Sequence, residues 1–429
     1  MCGIAGFLNP RNNDKKTEKE IYQILKKMNE VQRHRGPDDE GIFLENGCAL
    51  GHVRLSILDL YRGHQPMCKK KEGNTYAIIL NGEIYNMKTL KEQLIKEGEM
   101  FSTTSDTEVV LTGYIRYGIS YIEELNGIFS IALWDGKRKK LYLIRDRVGV
   151  KPLFYTKRGD TLIFASEIKG LFAYPGVKPV INREGLCEIF GLGPAKSYGK
   201  GVFKDIYEVL PGHFLEYDRE GLKDRAYWEL KAKEHTDSEK DTIEHTRWLV
   251  KDAVEMQMLS DIPISTFLSG GVDSSLVTAI CAKKLQKEGK NLNTFSFDFV
   301  NNHKYFKSNA FQPSEDRPWV DKMVDHAKTD HRYLECDNEN MIENLYKAVD
   351  ARDLPCMADV ESSMLYFCSK VVKYNKVTLT GECADEIFGG YPWFFRADAL
   401  NSNTFPWSIA ITERQNLLNP QIASKVNLK

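Results

Sequence analysis

Residues able to do chemistry are concentrated in a few short stretches of this sequence. Ser269-Gly270-Gly271-Val272-Asp273-Ser274-Ser275 combines two glycines with hydroxyls and a carboxylate. Glycines let the backbone approach a ligand closely and adopt positive φ. The hydroxyls of Ser269, Ser274 and Ser275 add donors, and Asp273 could hold Mg²⁺ between phosphate oxygens. The spacing is neither GxxxxGK[ST] nor GxGxxG, so the stretch is a phosphate cradle of another kind. Glu382, Asp385 and Glu386 form an acidic group that is either a solvated loop or, beside Asp273, a magnesium site. At the other end, Cys2 follows the initiator Met1. Once Met1 is removed, thiol and α-amine share one residue. The amine, with a reference pKa of about 7.7–8.0, can then act as base for its own thiol. Asn81-Gly82 offers an amide side chain and a backbone N–H, the parts of an oxyanion hole.

The surrounding pattern supplies elements to place these groups. Residues 262–268 read as a short buried strand. Residues 274–288 read as an amphipathic helix, since Leu276 and Ile280, and Val277, Cys281 and Leu285, recur at helical spacing. A helix start after the glycines attracts an anion. Residues 294–299 and 376–379 read as further strands. Residues 317–328 read as a helix after Asp316, with Pro318 in its first turn. Asp241-x-x-Glu244 resembles a capping box opening another helix. Strands alternating with helices predict a parallel sheet, with ligands at the carboxyl ends of its strands. Nearer the N-terminus, residues 3–7 read as a strand, and Ile21, Ile24, Leu25 and Met28 mark an amphipathic helix. A strand over 76–80 ends at Asn81-Gly82. Asp106 precedes a helical pattern and reads by itself as an N-cap, and Arg54 alone reads as a surface charge.

At 429 residues the chain is long enough for two domains. Hydrophobic residues at 42% and charged residues at 28% describe an ordinary globular composition. A formal net charge of −1 points to no nucleic acid and no anionic membrane surface. No apolar run approaches the roughly 18 residues of a membrane span, and the start lacks a basic signal-peptide region. Nine cysteines without a CxxC pair, and nine histidines without HExxH, argue against a disulfide framework or a zinc site. Reduced thiols and a cytoplasmic location follow.

The first half carries Arg33-His34-Arg35-Gly36-Pro37-Asp38, Arg54-Leu55-Ser56-Ile57-Leu58-Asp59, Asn81-Gly82-Glu83-Ile84-Tyr85-Asn86 and Thr104-Ser105-Asp106-Thr107-Glu108. It also carries Gly127-Ile128-Phe129-Ser130-Ile131-Ala132-Leu133-Trp134-Asp135, Arg145-Asp146-Arg147-Val148-Gly149-Val150-Lys151-Pro152-Leu153 and Ala165-Ser166-Glu167. Together with Cys2 these resemble the class II glutamine amidotransferases, which are N-terminal nucleophile hydrolases, over residues 2–215. The resemblance implies an α+β sandwich of two antiparallel sheets between helices. It also implies that Cys2 attacks the amide of L-glutamine while Asn81 and Gly82 stabilise the oxyanion. Arg54 would pair with the substrate carboxylate, Glu83 and Asp106 would hold its ammonium, and Leu55, Ser56, Ile57 and Leu58 would line the pocket.

The glycine-serine stretch resembles the pyrophosphate loop of N-type ATP pyrophosphatases. In combination with Cys2 and Thr380-Gly381-Glu382-Cys383-Ala384-Asp385-Glu386-Ile387-Phe388-Gly389-Gly390-Tyr391, it resembles the glutamine-hydrolysing asparagine synthetase family. That likeness implies an α/β parallel-sheet synthetase domain over 238–429, acting as a carbon–nitrogen ligase on L-aspartate and ATP through β-aspartyl-AMP. By the same likeness Leu268 and Phe297 contact the base through their backbones. Ser269, Gly270, Gly271, Asp273, Ser274, Thr380 and Gly381 bind ATP, Asp273 and Asp385 hold Mg²⁺, and Glu382 supports adenylate formation. A homodimer is the assembly allowed for. The commoner motif reads Ser-Gly-Glu-Gly-Ser-Asp-Glu, so Thr380, Cys383 and Ala384 depart from it, and Cys383 reads as a small loop residue rather than a nucleophile. The family usually continues into a helical stretch bearing an adenylate-stabilising lysine that has no counterpart here. The synthetase domain is therefore expected to be incomplete, with glutamine hydrolysed and little or no asparagine made. Synthesis on another carboxylate, by amidation or cyclisation, and a glutaminase-only product remain as alternatives. A phosphoribosyl-type amidotransferase would share the first half but not the glycine-serine stretch.

Overall fold

The computed structural model describes residues 1–11, 16–193, 195–309, 312–355, 357–404, 411–424, 426 and 428. The chain divides into two compact units, Met1–Lys233 with Leu418–Lys429, and Glu234–Leu417.

In the first unit, apolar residues at every second position build strands β1 (Gly3–Leu8), β2 (Asp39–Glu45), β3 (Cys48–Arg54), β4 (Met67–Lys71), β5 (Asn74–Ile84) and β6 (Gly127–Asp135). They continue with β7 (Lys140–Arg145), β8 (Phe154–Arg158), β9 (Thr161–Ala165), β10 (Tyr207–Glu208), β11 (His213–Asp218) and β12 (Gly221–Ala226). One sheet has the order β10-β8-β9-β1-β3-β2 and the other β12-β11-β7-β6-β5-β4, with every pairing antiparallel. Ile4, Leu8, Leu50 and Phe164 of the first sheet share a core with Ala77, Ile79, Ala132, Trp134 and Leu143 of the second. Each large apolar side chain enclosed there contributes about 1.5–3 kcal/mol.

Helices cover the outer faces. The helix Glu18–Glu30 lies on β1, β2 and β3, and Asp106–Tyr117 on β4 and β5. The first is opened by a capping box in which Thr17 Oγ1 accepts from Glu20 N at 3.3 Å and Thr17 N donates to Glu20 Oε2 at 2.7 Å. The expected sandwich is thus present. Position 215 falls inside β11, whose neighbour β12 completes the second sheet.

The strand expected to stop at Asn81-Gly82 instead runs on to Ile84. Asn81 pairs with Ser130, Gly82 with Phe129 and Glu83 with Ile128. Gly82 makes this possible. A Cβ there would sit 2.0 Å from Ile128 O, at a φ of +153°.

The second unit holds β13 (Ile264–Phe267), β14 (Asn293–Phe299), β15 (Asp330–Cys336) and β16 (Val377–Leu379), all parallel, in the order β15-β14-β13-β16. The predicted parallel sheet is there, with one strand more than expected. β15 is a polar edge strand, and its mixed burial hides the period that marks an interior strand. The helix after β13 spans Val272–Lys287, so Asp273 and Ser274 lie in its first turn with Gly271 as N-cap. The capping box at Asp241 is displaced. The helix Glu239–Gln257 is capped by Ser238, whose Oγ accepts from Asp241 N at 3.2 Å. β13 precedes the rest in sequence yet lies between β14 and β16, so the chain first steps outward through β14 to β15 and then crosses back to the other side of β13 at β16. The crevice where a ligand enters such a sheet therefore opens above the ends of β13 and β16.

Candidate active sites

In the first unit, the loops after β3 and β5 and the start of helix Asp106–Tyr117 enclose a cavity beside the N-terminal residue. It is lined by Cys2, Arg54, Leu55, Ile57, Leu58, Gly63, Gln65, Leu80, Gly82, Glu83, Ser105, Asp106 and Thr107. The free volume is about 20 Å³, room for little more than one water.

Cys2 Sγ accepts a hydrogen bond from Leu55 N at 3.4 Å. Burial pushes the thiol up, while the Leu55 contact and the nearby amine oppose that rise. Burial also pulls the Met1 amine down to about 6. Arg35 Nε holds Cys2 O at 2.9 Å and Arg35 Nη1 pairs with Glu167 Oε1 at 2.8 Å. His34 and Lys169 reach the same carboxylate, at 3.0 and 2.9 Å. Burial alone would raise Glu167, but His34, Arg35 and Lys169 outweigh it and hold the group at about 2. Ile4 N donates to Ser166 Oγ at 3.0 Å. The stretches 33–35 and 165–167 thus anchor the end of the chain that bears the thiol.

Arg54 is a buried residue, not a surface charge. Its Nη2 donates to the carbonyls of Leu58 at 2.8 Å and Asp59 at 2.7 Å, and it makes no ion pair among the described residues. A buried guanidinium without a carboxylate partner is suited to binding one. Glu83 and Asp106 are the opposite case. Burial raises Glu83 well above the carboxylate range, with the Asp106 charge adding to it, and Glu83 Oε2 has no partner. Burial also raises Asp106, although it accepts from Ile84 N at 3.0 Å and Thr107 N at 2.7 Å. Two such carboxylates suit a substrate ammonium. The N-cap of helix Asp106–Tyr117 is Ser105, not Asp106.

Two expected members stand aside. Ser56 is absent from the lining, its N–H donating to Asp38 Oδ2 at 2.8 Å. Asn81 is buried with Nδ2 toward Ser130 Oγ at 3.4 Å, and its Oδ1 is unpartnered. Sequence reasoning missed Gly63 and Gln65. A Cβ on Gly63 would lie 2.2 Å from Arg54 Nη2. Gln65 ties Leu80 N at 2.7 Å to Thr107 Oγ1 at 3.1 Å. The only sequence signal for these residues is the Gly–Pro punctuation between Arg62 and Met67.

In the second unit, the crevice above β13 and β16 is a cavity of about 610 Å³, within the range of nucleotide-sized sites. Leu268, Ser269, Gly271, Asp273, Ser274, Phe297, Thr380, Gly381, Glu382 and Asp385 line it, as do the unanticipated Asp316, Met364, Phe367 and Tyr391. The two motif loops touch. A Cβ on Gly381 would lie 2.7 Å from Ser274 N and 2.8 Å from the Asp273 carbonyl carbon. Gly270 does not line the cavity. Its φ is +80°, and a side chain there would strike Trp319 Cβ at 2.6 Å and Val320 N at 2.9 Å, so it packs the loop on helix Arg317–Ala327.

The serines are bonded to one another, Ser269 N reaching Ser274 Oγ at 3.2 Å and the two hydroxyls lying 3.0 Å apart. Leu268 has both main-chain groups engaged, N with Phe295 O at 2.9 Å and O with the Ser296 hydroxyl. β14 outruns β13 beyond Phe295, so the backbone at Phe297 has no strand on that side. Cys383 sits at φ +71° in the left-handed region, where the commoner motif carries glycine. Burial and then Glu386 and Glu382 raise its thiol, the opposite of an activated nucleophile.

Burial raises Asp273, and the Asp385 carboxylate adds to it. Asp273, Asp316, Glu382, Asp385 and Glu386 border the cavity, and no Lys or Arg among the described residues does. A polyphosphate could lie among these carboxylates only with a cation between. Mg²⁺ takes one or two carboxylates together with phosphate oxygens and water, so Asp273 and Asp385 fit it. No larger group of metal-ligating side chains occurs among the described residues.

Comparison with known proteins finds two families along the chain. Residues 1–228 match the glutamine amidotransferase domain family, and residues 245–429 match the asparagine synthase family. The chain is 46% identical over 430 residues to asparagine synthetase [glutamine-hydrolyzing] 3 of Bacillus subtilis, covering 100% of this chain and 69% of that protein. It is 35% identical to asparagine synthetase [glutamine-hydrolyzing] 2 of the same organism, covering 91% of this chain and 52% of that one. Amidase chyE of Penicillium rubens is 31% identical, covering 97% and 63%. No helix of the described residues is long and apolar enough to cross a membrane.

Proposed function

The chain belongs to the glutamine-hydrolysing asparagine synthetase family, and on that footing we propose that it amidates L-aspartate with ammonia taken from L-glutamine, at the cost of ATP. The observation that carries the first half is the gathering of a thiol, an unpaired guanidinium and two buried carboxylates on one cleft.

With Met1 removed, the α-amine of Cys2 accepts the thiol proton, and the sulfur attacks the amide carbon of glutamine. Gly82 N–H and the Asn81 amide, once turned from Ser130, stabilise the oxyanion. The ammonium returns its proton to the departing nitrogen, ammonia leaves, and water hydrolyses the thioester to glutamate. Arg54 holds the substrate carboxylate, and Glu83 with Asp106 holds its ammonium, fixing the amide over the sulfur.

In the second unit, ATP lies with its phosphates along Ser269, Gly271, Ser274, Thr380 and Gly381 at the start of helix Val272–Lys287. The open backbone at Phe297 offers contacts for the base. Asp273 and Asp385 would hold magnesium, which neutralises phosphate charge when bound. The aspartate β-carboxylate attacks the α-phosphorus, pyrophosphate leaves, and ammonia then displaces AMP from the acyl carbon. Adenylation is needed because oxide is too poor a leaving group, and Glu382 lies beside this exchange. Residues 2–215 and 238–429 bound the two activities. We also place the enzyme in the cytoplasm and allow for a homodimer.

The test separates the halves. Cys2→Ala should abolish glutamine hydrolysis and leave any ammonia-driven, ATP-dependent amidation in place. Asp273→Asn should lower aspartate-dependent pyrophosphate release by orders of magnitude and leave hydrolysis intact. Glutaminase activity retained in Cys2→Ala would sink the nucleophile assignment.

A further inference from the structure

Lys151 plays no part in the steps above, yet it lies against them. The residue is only 8% exposed. Its backbone is clamped, N donating to Asp146 Oδ2 at 3.0 Å and O accepting from Arg145 Nε at 2.9 Å. Its ammonium makes no ion pair among the described residues. Its one hydrogen-bond partner there is the thioether of Met1, with Nζ 3.0 Å from Sδ. A thioether is a weak acceptor, and a buried ammonium is costly unless it is paired or put to use. The nucleophile requires Met1 to be removed, and that removal takes away this one partner. The cation is then left beside the new N-terminus.

We infer that Lys151 is a positioning residue of the glutaminase site, holding a positive charge beside the Cys2 amine and thiol once Met1 is gone. This rests on the assignment of Cys2 as an N-terminal nucleophile. A like charge opposes protonation of the amine and favours ionisation of the thiol. The first effect keeps the amine a free base at neutral pH, and the second lowers the cost of taking the thiol's proton. Around the Met1 amine, one residue before the future N-terminus, stand Cys2, Arg35, Lys151 and Glu83. Around Lys151 stand Arg35, Glu83, Asp146 and Cys2, and Arg54 also faces the thiol. Arg35 acts in the same sense, but its bonds to Cys2 O and Glu167 engage it. Glu83 opposes both. Lys151 is the cation in this group that processing releases.

The experiment is the pH profile of kcat/KM for glutamine hydrolysis, with the pH dependence of Cys2 alkylation by iodoacetamide beside it. In Lys151→Met the acidic limb of both curves should move up by about one pH unit, the size expected for loss of a neighbouring like charge. Lys151→Arg should restore the wild-type limb. A residue that merely supports the fold would lower activity, or the melting temperature, at every pH without moving the limb. An unmoved limb in Lys151→Met, or in Lys151→Gln should methionine not be accommodated, overturns the proposal. If Cys2→Ala retained activity, the nucleophile assignment itself would fall. An unmoved limb with Cys2→Ala inactive refutes Lys151 alone.

Discussion

Adding one methyl group at Gly381 should uncouple the two activities. An Ala Cβ there would stand 2.7 Å from Ser274 N, 2.8 Å from the Asp273 carbonyl carbon and 2.9 Å from Asp273 Cβ. Ordinary contact begins near 3.4 Å, so the 380–386 loop and the start of helix Val272–Lys287 must part by about 0.5–0.7 Å. The obstructing atoms are mostly backbone in a helical first turn and cannot swing aside as a side-chain tip would. Overpacking of this kind costs about 1–3 kcal/mol locally, and a shift approaching 1 Å in a reacting group costs about a hundredfold in rate. Asp273 and Asp385 lie on the two parts that separate. Gly381→Ala should therefore lower aspartate-dependent pyrophosphate release roughly 10- to 100-fold, with glutamine hydrolysis by the same preparation unchanged. Gly271→Ala is the steric control, because its Cβ would meet nothing nearer than Ser269 Oγ at 3.5 Å. A loss there reports interference with the ligand instead of a clash within the protein. Pyrophosphate release within twofold of wild type in Gly381→Ala, or a parallel fall in hydrolysis, would refute the reasoning.

Cys383 holds a left-handed backbone at φ +71°, which costs a residue with a Cβ about 1–2 kcal/mol. Cys383→Gly should relieve that strain, less the added freedom of the unfolded chain, and raise the second unit's melting midpoint in calorimetry without loss of pyrophosphate release. Glu167 is held at about 2 against an ordinary 4.5. A depressed carboxylate stabilises the fold above its unfolded value and loses that contribution as pH falls through the folded one. About 3 kcal/mol should disappear between pH 4.5 and 2. In Glu167→Gln, denaturant titrations across that window should lack this portion of the pH dependence.

Much of the second site was legible because its groups lie within short stretches. Ser269 to Ser274 and Thr380 to Asp385 each carry their chemistry on consecutive residues, and the apolar runs before them mark the strands that bring the loops together. Contacts between distant stretches were not legible. Gly63 against the Arg54 guanidinium, Gln65 between Leu80 and Thr107, and Lys151 against Met1 have no local pattern. Local signals also misled where two interpretations competed. Asp106 and Asp241 both have cap chemistry, yet Ser105 and Ser238 take the caps and leave them inside the helices. The polar amide of Asn81 suggested a strand end. Pairing of Asn81 through Ile84 with β6 carried β5 onward regardless.

Chain ends ordinarily fray, and hydrogen exchange is fastest there. Here β1 lies between β3 and β9 in the middle of its sheet, and all six of its residues are buried. The amides of Gly3–Leu8 should be among the slowest to exchange in the whole unit. An exopeptidase acting on the folded protein would find no slack chain beyond Cys2, so trimming past the nucleophile would require opening the sheet. An affinity tag fused ahead of Met1 would block the amine directly. Deleting even a few leading residues would remove a central strand from the sheet.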